Sequence, residues 1–151
     1  NITYRTFCLF TDGSEIKDRK TYKTLSVGWD FILKEKIGTM LKSVIQNNGC
    51  IEDIRLGNNQ RAELVAIQEG LLSSIDYLKT ISREYDQENV SFELNIYTDS
   101  EYSMKCITTW SKTWEKNGWV NSKNKIYTHI IQILATNQIC MFWTKLHNYI
   151  K

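Results

Sequence analysis

The 151 residues contain no proline. No internal repeat or low-complexity linker interrupts the chain, so the expected organisation is one domain, residues 1–151, around one core. No apolar run approaches the roughly 20 residues that span a bilayer, and none has the pattern of a secretory signal. The expectation is an intracellular, non-secreted protein with no membrane partner. The chain begins at Asn1 without a methionine, as a processed or excised domain would. The four cysteines, Cys8, Cys50, Cys106 and Cys140, form no C-x-x-C pair and no metal-ligand spacing. They are expected to be buried, reduced thiols.

Large net charge is also lacking, at +2 overall. That total hides an asymmetry. Residues 1–101 carry 12 Lys+Arg and 16 Asp+Glu, a net of −4, whereas residues 102–151 carry 7 Lys and one Glu, a net of +6. A basic, tryptophan-rich segment attached to an acidic one hints at a polyanionic partner.

What is present is α/β patterning. Residues 4–11 read as a buried strand and 24–33 as a second, with Leu25, Val27, Trp29 and Phe31 on one face. A weaker strand is expected at 39–46, closed by Asn47-Asn48-Gly49, and a loop at 47–59. From Gln60 to Lys79, Leu64, Ile67, Leu71, Ile75 and Leu78 recur at helical spacing. A strand is expected at 90–98, a helix at 100–115 with Tyr102, Cys106, Ile107 and Trp110 in a stripe, an irregular basic-aromatic stretch at 114–125, a helix at 126–136, and a last strand at 138–145. This order reads as an antiparallel meander extended by parallel strands through helical crossovers.

Two strands end in the same way, in Thr11-Asp12-Gly13-Ser14 and in Thr98-Asp99-Ser100. Each Asp alone reads as a cap of the following turn or helix. Its recurrence favours a ligand crevice at the strand ends. Glu63 is expected in the first turn of the long helix, where it compensates the helix dipole or comes level with the two Asps. Three clustered carboxylates repel and raise one another's pKa values, and hard divalent cations such as Mg²⁺ resolve that.

Thr11-Asp12-Gly13-Ser14, then Asn59-Gln60-Arg61-Ala62-Glu63-Leu64, then Tyr97-Thr98-Asp99-Ser100-Glu101-Tyr102 resemble, in order and context, the acidic motifs of type 1 ribonuclease H. The resemblance continues through Ile107-Thr108-Thr109-Trp110 and Trp114 to Trp119, similar to the family's basic handle (about 110–126), and through Trp143-Thr144-Lys145-Leu146-His147. It implies a ribonuclease H-like fold with a mixed five-stranded sheet, and hydrolysis of the RNA strand of RNA/DNA hybrids with two Mg²⁺ ions, for which Mn²⁺ substitutes. It implies Asp12, Glu63, Asp99 and His147 as catalytic residues, with Asp12, Gly13, Glu63 and Asp99 as the metal set. Substrate contacts would come from Ser14, Asn58, Asn59 and Gln60 on the 2′-OH and minor groove, and from Trp110, Trp114, Lys116, Trp119, Ser122 and Lys123 on the DNA strand. The plainer readings are a polar turn at 58–59, a core position for Trp110 and a solvated basic loop. The implied partner is a hybrid duplex bound by a monomer, free or part of a larger polypeptide.

The chain departs from the family at its end. A fourth acid and the C-terminal helix that carries it do not occur before Lys151, and Leu146 stands where a glycine often precedes the histidine. Two alternatives stand beside the hybrid nuclease, the first motivated by this departure and the second by the strand-end acids alone. One is a non-catalytic hybrid-binding module on the same fold, which would bind without metal-dependent turnover. The other is a related metal-dependent nuclease acting on DNA, which would cut duplex DNA equally well.

Overall fold

The computed structural model describes residues 3–51, 59–83, 90–105, 116 and 142–148. Strand β1 (Thr3–Lys17), β2 (Thr24–Ile37) and β3 (Met40–Cys50) form a meander. Helix α1 (Asn59–Ser82), strand β4 (Val90–Thr98), the short helix α2 (Glu101–Lys105) and strand β5 (Phe142–Asn148) follow. The sheet has five strands in the order β3-β2-β1-β4-β5. β1–β2 and β2–β3 are antiparallel, whereas β1–β4 and β4–β5 are parallel. The expected mixed sheet of the ribonuclease H-like fold is therefore present.

The core lies between the sheet and α1. Alternate residues of β1 (Phe7, Leu9), β2 (Phe31, Leu33) and β4 (Phe92, Leu94, Ile96) meet Leu64, Ile67, Leu71 and Leu78 of α1. Period 2 on the strands and period 3.6 on the helix place both sets on one interface. Burial of these side chains, at about 1.5–3 kcal/mol each, fixes the helix across the sheet.

The strands are longer than the sequence pattern suggested. β1 does not stop at Asp12: it continues through Gly13 and Ser14 to Lys17, paired with β2 throughout. Asn47, Asn48 and Gly49 do not close β3 but pair with Phe31, Asp30 and Trp29. Gly49 is needed there because the Trp29 ring lies over it, and a Cβ would sit 2.5 Å from the ring. The face on β2 begins at Val27, since Leu25 is 57% exposed near the hairpin end. β5 runs later than the expected 138–145. Cys8 is a buried free thiol, but Cys50 is exposed because it ends the edge strand β3. Of the expected helix at 100–115, α2 is the part within the described residues. The expected helix at 126–136, together with Cys106 and Cys140, lies outside them. Among the described residues, no helix is long and apolar enough to cross a membrane.

Candidate metal centre

Register explains why two Thr-Asp pairs occur. Thr11 on β1 is the ladder partner of Thr98 on β4, so the acids that follow them, Asp12 and Asp99, emerge side by side at one edge. Both threonines are buried, and the Thr11 hydroxyl donates to the Tyr97 carbonyl at 3.4 Å, tying the strands together there.

Neither Asp is needed as a helix cap. Ser100 caps α2 instead: its hydroxyl accepts from the Ser103 N–H at 3.0 Å, while its own N–H donates to the Thr98 hydroxyl at 3.1 Å. Asp12 sits inside a continuous strand. The observed cap of α2 is therefore Ser100, and Asp12 lies within a strand rather than at the start of a helix.

Glu63 comes from α1. The helix starts at Asn59, so Glu63 is its fifth residue, and no acid lies in the first turn. Dipole compensation in that turn is accordingly not its role. It faces the sheet, 5% exposed. The helix reaches this position because Gly13 has no side chain. A Cβ on Gly13 would lie 2.3 Å from both the Ala62 carbonyl carbon and the Glu63 nitrogen. The Gly13 N–H in turn donates to the Glu63 carboxylate. The sequence reading placed Gly13 in the metal set and did not see that it also seats the helix; a glycine amid a β-strand pattern was the available signal.

Asp12, Glu63 and Asp99 each offer an oxygen within 4.8 Å of the others, from a half-buried, a buried and an exposed position. Burial, then the charge of Asp99, then that of Asp12, push the Glu63 carboxyl up to about 8, against the pull of the Gly13 N–H. A carboxyl kept protonated by its neighbours marks a place where positive charge is wanted. Glu63 Oε2 is buried and has no hydrogen-bond partner. Three hard oxygen donors and one unsatisfied carboxylate oxygen fit a divalent cation such as Mg²⁺.

The remaining expected residues divide into two groups. Ser14 lies exposed on β1, two residues past Asp12. Asn59 and Gln60 open α1 and are exposed, with Asn59 one turn before Glu63 on the same helix face. His147 occupies β5 opposite Tyr97 in register, one step before Asn148 opposite Thr98. Its backbone therefore reaches the same sheet edge as Asp99. Lys116 is exposed. Asn58, Trp110, Trp114, Trp119, Ser122 and Lys123 lie outside the described residues.

Comparison with known proteins bears on the family and the fold. The family model described as RNase H matches residues 5–151. The chain is 31% identical over 96 residues to a ribonuclease H of Erythrobacter litoralis, covering 60% of this chain and 57% of that one. It is 30% identical over 101 residues to a ribonuclease H of Neorickettsia sennetsu, covering 63% of this chain and 67% of that one. It thus spans a little over half of the first relative's length. In fold it is similar to the prototype foamy virus protease–reverse transcriptase, with a TM-score of 0.66 at 17% identity, covering 94% of this chain and 17% of that one.

Proposed function

Because this chain belongs to the RNase H family, we propose that it hydrolyses the RNA strand of RNA/DNA hybrids with two divalent cations held at the carboxylate cluster. The observation that carries the reading is the buried Glu63 carboxylate, with its unpartnered oxygen, beside Asp12 and Asp99. When bound, two Mg²⁺ ions supply an acidified attacking water and stabilise the leaving 3′-oxygen of an in-line displacement.

The chain's own residues prepare that chemistry. Asp12, Glu63 and Asp99, whose oxygens lie within 4.8 Å of one another, would hold the ions, with Asp12 shared between the two and Glu63 and Asp99 as further ligands. The Gly13 N–H orients the Glu63 carboxylate. Asn59 and Gln60, exposed at the start of α1, would offer amides suited to a 2′-OH that both donates and accepts. Ser14 adds a hydroxyl from the neighbouring strand. His147, at the same edge, is the candidate for assisting proton transfer or product release. Trp110, Trp114, Lys116, Trp119, Ser122 and Lys123, from the basic half of the sequence, are the candidate contacts to the DNA strand on the strength of the sequence resemblance alone. The similarity to a reverse transcriptase, of which the matching part is 17%, supports a place within a larger polypeptide as readily as a free monomer.

The test is cleavage of labelled RNA/DNA, RNA/RNA and DNA/DNA duplexes with Mg²⁺ and with EDTA. The expected result is metal-dependent cutting of RNA in the hybrid alone. Binding of the hybrid without cutting by the full-length gene product would establish a non-catalytic module instead. Equal cutting of duplex DNA would establish the DNA nuclease.

A further inference from the structure

The β1–β2 hairpin carries charge that the carboxylate chemistry does not use. Residues 17–23 read Lys-Asp-Arg-Lys-Thr-Tyr-Lys, four cations and one acid. The acid is spent inside the turn: Asp18 Oδ1 accepts the N–H groups of Lys20 and Thr21 at 2.8 and 2.9 Å. Those two bonds hold its carboxyl below the usual range. Lys17 pairs with Glu15 at 3.4 Å. Arg19, Lys20 and Lys23 remain exposed, and among the described residues no ion pair takes them up.

The turn is also shaped. The Asp18 N–H donates to the Lys23 carbonyl at 2.8 Å and the Tyr22 N–H to the Asp18 carbonyl at 2.9 Å. Tyr22 is held at φ 58°, a left-handed conformation that tyrosine rarely adopts, and its ring is 77% exposed. Three cations and an outward aromatic ring are thus fixed on a closed loop rather than scattered on a mobile one. Backbone strain retained at an exposed aromatic position is a cost without a packing return.

Position supplies the partner. β1 runs parallel to β4, so the hairpin projects past the sheet edge at which Asp12 and Asp99 meet. Lys17 is five residues beyond Asp12, roughly 17 Å along an extended strand. That is about five nucleotide steps of a duplex strand.

We propose that the tip of the β1–β2 hairpin, through Arg19, Lys20, Lys23 and Tyr22, is a second nucleic-acid contact that grips the phosphate backbone of the hybrid about five base pairs from the carboxylate cluster. The inference rests on the hybrid reading above and deepens it by assigning a contact outside the cluster and outside the basic tryptophan segment. The cations neutralise phosphates, and the ring packs against sugar. The contact adds affinity and registers the duplex without reading sequence.

The test measures equilibrium binding to a non-cleaved hybrid, with Ca²⁺ in place of Mg²⁺, as a function of salt. Wild type is compared with Arg19→Ala/Lys20→Ala/Lys23→Ala and with Tyr22→Ala, on a 20-base-pair hybrid long enough to span both sites. All four side chains are exposed, so the melting temperatures should match and folding is not a confounder. The expected result is that the triple variant lowers the slope of log K against log salt by about 2 to 3 on the long hybrid. Tyr22→Ala should weaken binding to the long hybrid several-fold with little change of slope. An unchanged slope in the triple variant overturns the proposal. Binding to anionic vesicles that the triple variant abolishes, with hybrid binding intact, overturns it in favour of a membrane surface. A wild type that binds but never cuts, with the slope still falling in the variant, refutes the nuclease reading and leaves the hairpin contact standing.

Discussion

At the scale of single residues the site is organised by a missing side chain and an unwelcome charge. Gly13→Ala places a methyl against the backbone of Ala62 and Glu63, where no flexible atom can give way. The expected cost is at least about 2 kcal/mol, seen as a lowered melting temperature, together with weaker divalent-cation binding because Glu63 is moved from its partners. A Gly13→Ala protein with unchanged melting would refute the close approach as the reason for glycine. Glu63 carries a pH signature. Its folded-state value near 8 lies above the ordinary 4.5, so the folded state holds a proton that the unfolded chain has released. Its contribution to stability is fully present below about 4.5 and is lost as pH rises through about 8. In EDTA, wild type should therefore melt at a lower temperature at pH 8 than at pH 5, and Glu63→Gln should flatten that difference. A divalent cation replaces the proton, so Mg²⁺ should restore most of the melting temperature lost at pH 8. These roles were only half legible in the sequence. Two Thr-Asp pairs and the Glu63 segment could be found by eye, because chemistry repeats residue types. That the pairs become neighbours depends on the Thr11–Thr98 register, which no local pattern records.

At the scale of elements, α1 and β4 were read almost to their observed ends. Both are buried on a full face, and burial writes its period into the sequence. The errors fell where pairing, not burial, decides. Gly13-Ser14 and Asn47-Asn48-Gly49 are turn residues by composition, yet β2 lies between both segments and hydrogen-bonds each into a ladder. α1 is the element on which the site's geometry depends, since its buried stripe sets the height of Glu63 over the sheet. Leu71→Ala should cost about 2–5 kcal/mol, roughly 10 °C of melting temperature in a chain of this length. With the helix still seated by Gly13 and Leu64, the surviving folded fraction should bind metal with near-wild-type affinity. Loss of affinity larger than the unfolded fraction accounts for would show that the helix slides as a whole. Asp12→Asn and Asp99→Asn should behave in the opposite way, with folds intact, hybrid cleavage reduced at least about a hundred-fold, and no rise in melting temperature on adding Mg²⁺.

At the scale of the whole molecule, acid and base are divided along the chain, with −4 on residues 1–101 and +6 on the rest. The carboxylate cluster belongs to the first part and the basic tryptophan segment to the second. Hybrid binding should therefore fall steeply with salt while metal binding changes much less, a contrast readable by titrating each ligand at two ionic strengths. A common slope for both would contradict the division. The sheet's connectivity has a further consequence, in time rather than in space. The β1–β2–β3 meander closes through short turns, whereas β1 can accept β4 only after the α1 crossover has been laid down, across 87 positions from Thr11 to Thr98. Non-local parallel pairing is the slow part of such a topology. During refolding, amide protection in the β1–β2 hairpin should appear before any metal-dependent signal. A chain emerging from synthesis would hold Asp12 and Glu63 well before Asp99, so it would carry a collapsed hairpin and no complete cation site. On the proposed reading, hydrolytic capacity could arise only once β4 has paired with β1, leaving shorter chains chemically silent.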